Sequence, residues 1–214
     1  MRLVVDWDGT VTETDSLWLV LERFGDPEIF AQVEGKLVRG AISYRELMEI
    51  EFSTVRAPLD DVVAHLVDHA RLRPGFHELA RTYAPLILSS GFEQLIRPLL
   101  VREGIELEVV ANRIDPRPDG WRVLWRDETT CEHCGDRCKR GGLPAGDVVF
   151  VGDGYSDRCA ALAAQRVFAR AGLADYLRDA GVPFEPFEDF YDVAAALARD
   201  GAQVEPASRS RGRK

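Results

Sequence analysis

Two aspartates near the start of the chain have the spacing of a catalytic or metal-binding pair. Asp6 and Asp8 follow directly after the apolar run at residues 3–5, which has the composition of a buried strand. Because a buried strand cannot carry an unpaired charge in its middle, both side chains must lie at its carboxyl end, where open α/β sheets bind ligands. A side-chain period of two places both on one side of the strand and Trp7 on the other. The pair indicates a metal site or carboxyl groups with shifted pKa values, although an acidic turn without function has the same residues.

A second pair of aspartates follows another apolar run. Asp153 comes directly after residues 148–152, and Asp157 lies one helical turn further on. Gly152 and Gly154 allow a tight turn around Asp153. The pattern predicts a second acidic group at the same edge of the sheet, while the alternative is an aspartate turn that only caps a helix.

Hydroxyl groups stand where a third strand should end. Ser89 and Ser90 follow the apolar residues 86–88, and Gly91 comes directly before a predicted helix at residues 92–102. A hydroxyl in this place can donate to a phosphate oxygen together with the first N–H groups of the helix. The alternative is that one of the two serines simply caps that helix.

Taken together, these motifs resemble those of haloacid-dehalogenase-like phosphatases. The run Asp-Trp-Asp-Gly-Thr-Val-Thr at residues 6–12 is similar to their nucleophile motif, and Gly-Asp-x-x-x-Asp at residues 152–157 is similar to their acidic motif. The resemblance implies a phosphomonoester hydrolase in which Asp6 forms an aspartyl-phosphate and Asp8 is the general acid and base. It implies that Ser89 binds the phosphoryl group, with Ser90 as the alternative. It also implies that Lys139 neutralises that group, with Arg140 as the alternative.

The same resemblance implies a Mg²⁺ site. Asp6, Asp153 and the main-chain carbonyl of Asp8 would provide hard oxygen ligands, and Asp157 would orient Lys139 or a metal-bound water. The expected substrate is a small phosphorylated metabolite. Two other functions remain open, namely a phosphotransferase on the same scaffold and a protein that binds a phosphate ligand without turnover.

Within this family the chain looks most like the phosphoserine-phosphatase-like branch. Those enzymes usually carry a glutamate that binds the substrate amine where this chain has Asp15, so we expect Asp15 to contact the substrate. The cysteine-rich stretch that ends at Lys139, and residues 184–191, are similar to methionine-salvage phosphatases. The cysteine stretch is also similar to phosphoethanolamine/phosphocholine phosphatases.

The predicted elements place these residues in an α/β protein. Four consecutive helices are expected at residues 15–24, 27–38, 44–55 and 59–70, which is too long for a simple connection between two strands. We therefore predict a helical cap at residues 14–73. It interrupts a Rossmann-like core of residues 1–13 and 74–200, whose parallel sheet is flanked by helices. Further strands are expected at residues 86–89, 105–111, 148–151 and 167–169, a helix at 156–165, a hairpin flap around 121–125 and a disordered tail at 201–214.

Three of the four cysteines lie close together in the sequence. Cys131, Cys134 and Cys138 have zinc-ligand spacing, but a fourth ligand is not evident because Cys159 stands apart. The alternative is a set of reduced thiols that packs the base of the flap.

Composition excludes several classes of protein. The net charge of −9 argues against nucleic acid or an anionic membrane as the main partner. No apolar run approaches the roughly 20 residues of a membrane span, and the start of the chain lacks the apolar region of a signal peptide. We therefore expect a cytoplasmic enzyme.

Overall fold

The computed structural model describes residues 1–126 and 130–199. These residues contain a seven-stranded sheet of order β4-β3-β2-β1-β5-β6-β7. The strands are β1 (Arg2–Val5), β2 (Leu86–Phe92), β3 (Val109–Asp115), β4 (Arg122–Leu124), β5 (Val148–Gly152), β6 (Arg166–Ala169) and β7 (Glu185–Pro186). The helices are α1 (Ser16–Phe24), α2 (Pro27–Val38), α3 (Tyr44–Phe52), α4 (Leu59–His69), α5 (Phe76–Tyr83), α6 (Glu93–Arg102), α7 (Arg158–Ala161), α8 (Ala171–Asp179) and α9 (Phe190–Arg199). The predicted disordered tail lies outside the described residues.

The centre of the sheet is parallel and is buried on both faces. β1 pairs with β2 on one side and with β5 on the other, and all five residues of β5 are buried. Separate apolar clusters cover the two faces, as expected for strands without polar alternation. The predicted fold class is confirmed. Because β1 and β5 are parallel neighbours, the residues that follow them, Asp6 and Asp153, meet at one edge of the sheet.

Four helices, α1 to α4, fill the segment between β1 and the rest of the sheet. Asp15 and Asp26 cap the first two helices, and Ser43 with Glu46 forms the expected capping box on α3. The helix expected at residues 44–55 ends earlier, at Phe52, because the hydroxyls of Ser53 and Thr54 bond back to carbonyls within α3. The division of the chain into core and cap stays a prediction.

The chain enters and leaves the four-helix segment through two extended segments that pair side by side. Glu13 N donates to Arg71 O at 2.9 Å, Arg73 N donates to Val11 O at 2.8 Å, and Thr12 forms an antiparallel bridge with Leu72. We call residues 11–13 and 71–73 the neck. The described helices include none that is long and apolar enough to span a membrane.

The hairpin expected around residues 121–125 is present and contacts the helical segment. β4 pairs antiparallel with β3, and the fully buried Trp121 donates from Nε1 to Ala57 O at 3.0 Å. β3 begins later than predicted, at Val109, because its pairing with β2 starts there. The predicted helix at residues 156–165 is shorter, since a 3-10 turn occupies residues 155–157 and the chain tightens again after Ala161 to enter β6.

Candidate active site

The segment after β1, Trp7–Val11, leaves the sheet as a wide turn that is closed by Thr12 N donating to Trp7 O at 3.0 Å. Asp6 and Asp8 both keep an extended backbone and line one cavity, whereas Trp7 is buried and does not line it, which is the placement that a side-chain period of two predicts. Gly9 makes this turn possible. Its φ is +77°, and a Cβ atom there would lie 2.5 Å from Asp153 Oδ2.

Three carboxylates converge at this edge of the sheet. Oxygens of Asp6, Asp153 and Asp157 lie within 4.8 Å of one another. The Thr10 hydroxyl donates to Asp153 Oδ1 at 2.8 Å, which fixes that carboxylate across from the turn. The structure thus brings together the acidic residues of both sequence motifs.

Lys139 reaches this cluster from the loop before β5. Its side chain is 1% exposed, and Nζ donates to Asp6 Oδ1 and to Asp157 Oδ1, the latter at 2.6 Å. Burial lowers the pKa of Lys139, but the charges of Asp157 and Asp6 outweigh it and raise that pKa above its usual value, so the ammonium stays charged. Arg140 is exposed, so it is Lys139 that the structure places at the cluster.

Asp157 organises the cluster from its buried side. Its second oxygen, Oδ2, accepts hydrogen bonds from the backbone N–H groups of Asp153 and Gly154, both at 2.9 Å. Because both oxygens already have partners, this geometry suits the orienting function better than direct metal ligation.

The charges of the cluster fit a divalent cation. Three carboxylates against one ammonium leave two negative charges uncompensated in a buried site. Burial and the charge of Asp157 raise the pKa of Asp153 to about 6, and they also raise that of Asp6, which Lys139 opposes. An all-oxygen, anionic donor set is the kind that Mg²⁺ prefers.

Asp8 is held apart from the three clustered carboxylates. Its Oδ1 accepts a hydrogen bond from Ser16, and its Oδ2 accepts one from Ser89 at 3.1 Å. A Cβ at position 91 would lie 2.7 Å from Asp8 Oδ2, so Gly91 leaves room for this carboxylate. Burial and the charge of Asp15 raise the pKa of Asp8 to about 7, against the lowering effect of Ser16, Lys139 and Ser89. A carboxyl group with this pKa can give and take a proton at neutral pH.

The two serines of β2 have different surroundings. The Ser89 side chain is fully buried, donates to Asp8 and accepts from Gly91 N at 2.8 Å. Ser90 lines the cavity together with Gly91. The choice between them as the phosphate-binding hydroxyl stays a prediction, and their positions favour Ser90 for direct contact and Ser89 for orienting Asp8.

A cavity of about 370 Å³ lies between the acidic cluster and the helical segment. Asp15 lines it and also caps α1, accepting from Leu17 N at 2.8 Å and Trp18 N at 3.1 Å. Asp15 can therefore contact a substrate in the cavity while it caps α1. The helical wall of the cavity is mostly apolar, with polar side chains at Glu34, Tyr44 and Glu51, and its apolar residues are Leu17, Trp18, Leu21, Phe30, Leu37, Leu47 and Met48.

Comparison with known proteins decides the family. The model of the haloacid dehalogenase-like hydrolase family matches residues 3–162. The chain belongs to this family. The resemblance inferred from the sequence is confirmed, and the chain is a hydrolase of this kind.

Relatives with similar sequences are named as phosphatases. The chain is 29% identical over 216 residues to a "2-hydroxy-3-keto-5-methylthiopentenyl-1-phosphate phosphatase" of Bacillus cereus, covering 92% of this chain and 95% of that protein. A protein with the same name from Bacillus thuringiensis is 28% identical with the same coverage.

Solved structures of phosphoserine phosphatase share the fold. A phospho-aspartyl intermediate analogue has a TM-score of 0.67 at 17% identity, and a substrate-bound complex has 0.68 at 16%. Each covers 91% of this chain and 97% of the other chain.

Sequence reasoning missed two residues of this hydrolase's site. Arg73 is buried in the neck and donates to the carbonyls of Gly9 at 2.7 Å and Thr10 at 2.8 Å, which fixes the turn after β1. Glu51 lines the cavity with 4% of its surface exposed, and its Oε1 has no hydrogen-bond partner among the residues that the structure describes. Neither belongs to a motif. An arginine that binds carbonyls some sixty residues away leaves no local pattern, although a glutamate on the apolar side of α3 was a visible anomaly.

The structure also changes the interpretation of the cysteines. Cys159, which stands apart in the sequence, joins Cys131, Cys134 and Cys138, and the four sulfurs lie within 4.8 Å of one another. All four are free thiols.

Proposed function

We propose that this chain is a Mg²⁺-dependent phosphomonoester hydrolase that acts on a small phosphorylated metabolite through an aspartyl-phosphate. The observation that carries the proposal is the position of Asp6. Its carboxylate lies at the end of the cavity, bonded to a charged Lys139 and beside Asp153 and Asp157. Its belonging to the haloacid dehalogenase-like hydrolases supports the same reaction class.

In the first step an oxygen of Asp6 attacks phosphorus, and the bond from phosphorus to the leaving oxygen breaks. Asp8 gives its proton to that oxygen, which its raised pKa permits at neutral pH. The Lys139 ammonium offsets the negative charge that attacker and phosphoryl group bring together.

In the second step water attacks the aspartyl-phosphate. Asp8, now ionised, takes a proton from that water, inorganic phosphate leaves, and the Asp6 carboxylate is restored. The hydrogen bonds from Ser16 and Ser89 hold the Asp8 carboxylate in one orientation through both steps.

Asp6, Asp153 and the main-chain carbonyl of Asp8 are the groups that we assign to Mg²⁺. The bound ion would supply positive charge beside the phosphoryl oxygens. Asp157 serves this site indirectly, through Lys139 and the backbone of the Asp153 turn.

The cavity wall supports a substrate with an apolar part. The Bacillus relatives carry the name of a methylthiopentenyl phosphate phosphatase, and a thioether suits a wall that contains Trp18, Phe30 and Met48. We therefore propose 2-hydroxy-3-keto-5-methylthiopentenyl 1-phosphate as the first substrate to test. Asp15, the N-cap residue of α1, would contact the polar groups of this substrate.

The reaction is tested with Asp6→Asn, because an amide is a poor nucleophile. The variant should keep less than about a tenth of the wild-type phosphate release, by analogy with other lost catalytic groups. Asp60→Asn, at an exposed position of α4, is the matched control and should be fully active. Wild-type protein that is quenched during a single turnover should carry the mass of one phosphoryl group on Asp6. The absence of this added mass would contradict covalent catalysis.

The substrate is tested by a screen of phosphomonoesters with Mg²⁺, in which water is the only phosphoryl acceptor and the release of inorganic phosphate is measured. The methylthiopentenyl phosphate should give a higher kcat/KM than phosphoserine. The reverse order would overturn the substrate proposal while leaving the reaction class intact. Turnover that requires an added alcohol, with the phosphoryl group recovered on that alcohol and not as inorganic phosphate, would instead favour a phosphotransferase.

A further inference from the structure

A group of four cysteines outside the catalytic cluster has the composition of a metal site. Three come from the loop before β5, at positions 131, 134 and 138, and Cys159 comes from α7. These four are all the cysteines of the chain, so the fold gathers every thiol it has at one place. Two segments distant in the sequence must meet for this to happen.

The sulfur positions fit one tetrahedral ion. Each pair of Sγ atoms lies within 4.8 Å, whereas four thiolates around zinc at about 2.3 Å stand roughly 3.8 Å apart. Small rotations of the side chains would close this difference. None of the four is in a disulfide.

The loop that carries three of these cysteines has no apolar side chain that could anchor it in the core. Residues 130–138 contain no helix or strand, and residues 130–142 contain no aliphatic or aromatic side chain. The contacts that hold it include a backbone bond within the loop, Cys131 N to Asp136 O at 2.9 Å, and bonds from two arginines outside it, Arg45 N to Asp136 Oδ2 at 3.4 Å and the Arg126 side chain to Cys138 O at 3.2 Å. Yet this loop ends at Lys139, whose Nζ must lie within hydrogen-bond reach of Asp6 and Asp157. A loop without a core needs another source of rigidity.

We propose that Cys131, Cys134, Cys138 and Cys159 bind one structural zinc ion. Four thiolates form a closed, soft donor set, which selects zinc over Mg²⁺ and leaves no position open for chemistry. On binding, the four thiols lose their protons, and the resulting site carries two negative charges. Arg137, Arg140 and Arg158 are each adjacent in sequence to a ligand or within two residues of one, so the local charge suits such a site.

The zinc ion would fasten together the two halves of the buried ion pair. Cys138 directly precedes Lys139, and Cys159 lies two residues after Asp157. A metal that joins Cys138 to Cys159 therefore sets the distance between the segments that carry the ammonium and its carboxylate partner. Zinc thus acts only on the positions of these two segments, and its binding does not depend on the proposed phosphatase reaction.

The first test is the metal content of the full chain, purified without chelators and measured by mass spectrometry of the elements. Wild-type protein should hold about one zinc ion per chain, as a closed four-cysteine site requires. Cys131→Ser and Cys159→Ser should each lose most of it. His133→Ala is the matched control, because His133 is an exposed side chain in the same loop and lies outside the sulfur group, and it should keep its zinc.

Cobalt gives a second measurement that does not require a variant to fold. Wild-type protein stripped of metal and loaded with Co²⁺ should show sulfur-to-metal charge transfer and the intense visible bands of a tetrahedral site. The four thiols should react with a thiol reagent slowly in native protein and quickly after chelation.

Three results would overturn the proposal. They are wild-type protein that neither retains zinc nor binds added Zn²⁺, iron in place of zinc, and disulfides among the four cysteines in protein kept reduced. Loss of zinc in His133→Ala with retention in Cys159→Ser would equally overturn the proposed ligand set. Zinc content without phosphatase activity would count against the proposed function alone, so the two failures can be told apart.

Discussion

At neutral pH, Asp8 is present in both its protonated and its ionised form, so we expect the rate of the reaction to depend on pH. Its pKa, raised to about 7, means that the protonated form prevails below that pH and the carboxylate above it. Because the first step needs the proton, kcat/KM should fall as the pH rises through about 7. The measurement is kcat/KM for an aryl phosphate across roughly pH 5 to 9 at saturating Mg²⁺.

Asp8→Asn supplies the comparison for this profile. The amide has no proton to give, so the variant should be slow and should lack the falling limb. A wild-type profile that stays flat through neutral pH would remove Asp8 from the function of general acid.

Glu51 is a buried acid whose charge destabilises the fold. Burial, then the charges of Glu34 and Asp15, raise its pKa from 4.5 to about 8. The folded state thus binds this proton more tightly than the unfolded state, and the free energy of unfolding falls as the pH rises from about 4.5 to 8. Glu51→Gln removes this pH-dependent loss of stability, because glutamine does not ionise. At about 1.4 kcal/mol per pKa unit, the substitution should raise the free energy of unfolding by about 2–4 kcal/mol more at pH 8 than at pH 5.

Urea denaturation at the two pH values measures this difference. Glu22→Gln, at an exposed position of α1, is the control and should change stability equally at both. The same pH-independent result for Glu51→Gln would mean that Glu51 is already charged at neutral pH in the folded protein.

The sequence predicted the residues that follow buried strands and not those that support them. Asp6 and Asp153 were found because a charge after an apolar run must lie at the edge of the sheet. Cys159 and Arg73 were not found, because their partners come from other parts of the chain and only the folded topology brings them together. Ser89 and Ser90 were found as a pair, but only the backbone of β2 decides which one faces the cavity.

At the scale of elements, the turn after β1 depends on a side chain of the neck. Arg73 donates to the carbonyls of Gly9 and Thr10, and also to that of Thr12 at 3.2 Å. Arg73→Lys replaces the planar fork by one ammonium and leaves buried carbonyls without donors. We expect a loss of about 2–3 kcal/mol in the free energy of unfolding and a lower kcat, since this turn carries Asp6 and Asp8.

Arg71→Lys is the matched control. Arg71 is exposed in the same segment of the neck, and its side chain donates to nearby carbonyls, those of Asp68 and Ala70. Its substitution should change stability by less than about 0.5 kcal/mol. Chemical denaturation and kcat at saturating Mg²⁺ measure both effects, and equal outcomes for the two variants would contradict the function assigned to Arg73.

Element types were predictable and several boundaries were not. The capping box fixed the start of α3, but its end depends on the hydroxyls of Ser53 and Thr54, which compete with the helix. β3 begins where β2 offers a partner, which no local pattern reveals. Alanine-rich residues after Asp157 favour a long helix, yet the chain must turn at once to enter β6.

At the scale of the whole molecule, the helical segment contacts the hairpin as well as the neck. Trp125 Nε1 donates to Glu49 Oε1 at 2.8 Å, and Arg45 lies over the Trp125 ring at 5.5 Å. These contacts hold α3, which lines the cavity, against the hairpin. Trp125→Phe removes the hydrogen bond, so we expect KM for the true substrate to rise about three- to tenfold with kcat little changed.

Leu124→Ala tests whether this effect is specific. Leu124 is the exposed last residue of β4, directly before Trp125, and its truncation should leave KM unchanged. Steady-state kinetics with a substrate that fills the cavity makes the comparison. An unchanged KM in Trp125→Phe would mean that the hairpin does not hold α3 in place.

The neck has a consequence for how such enzymes diversify. Its two extended segments run side by side, so the inserted helices begin and end at neighbouring points of the fold. A different insertion of any length could replace the helices at these points without changing the strand order of the sheet or the positions of the acidic residues that follow β1 and β5. On the proposed division of the chain, the helices that contact the substrate could change in evolution while the acidic residues that act on the phosphoryl group are inherited intact.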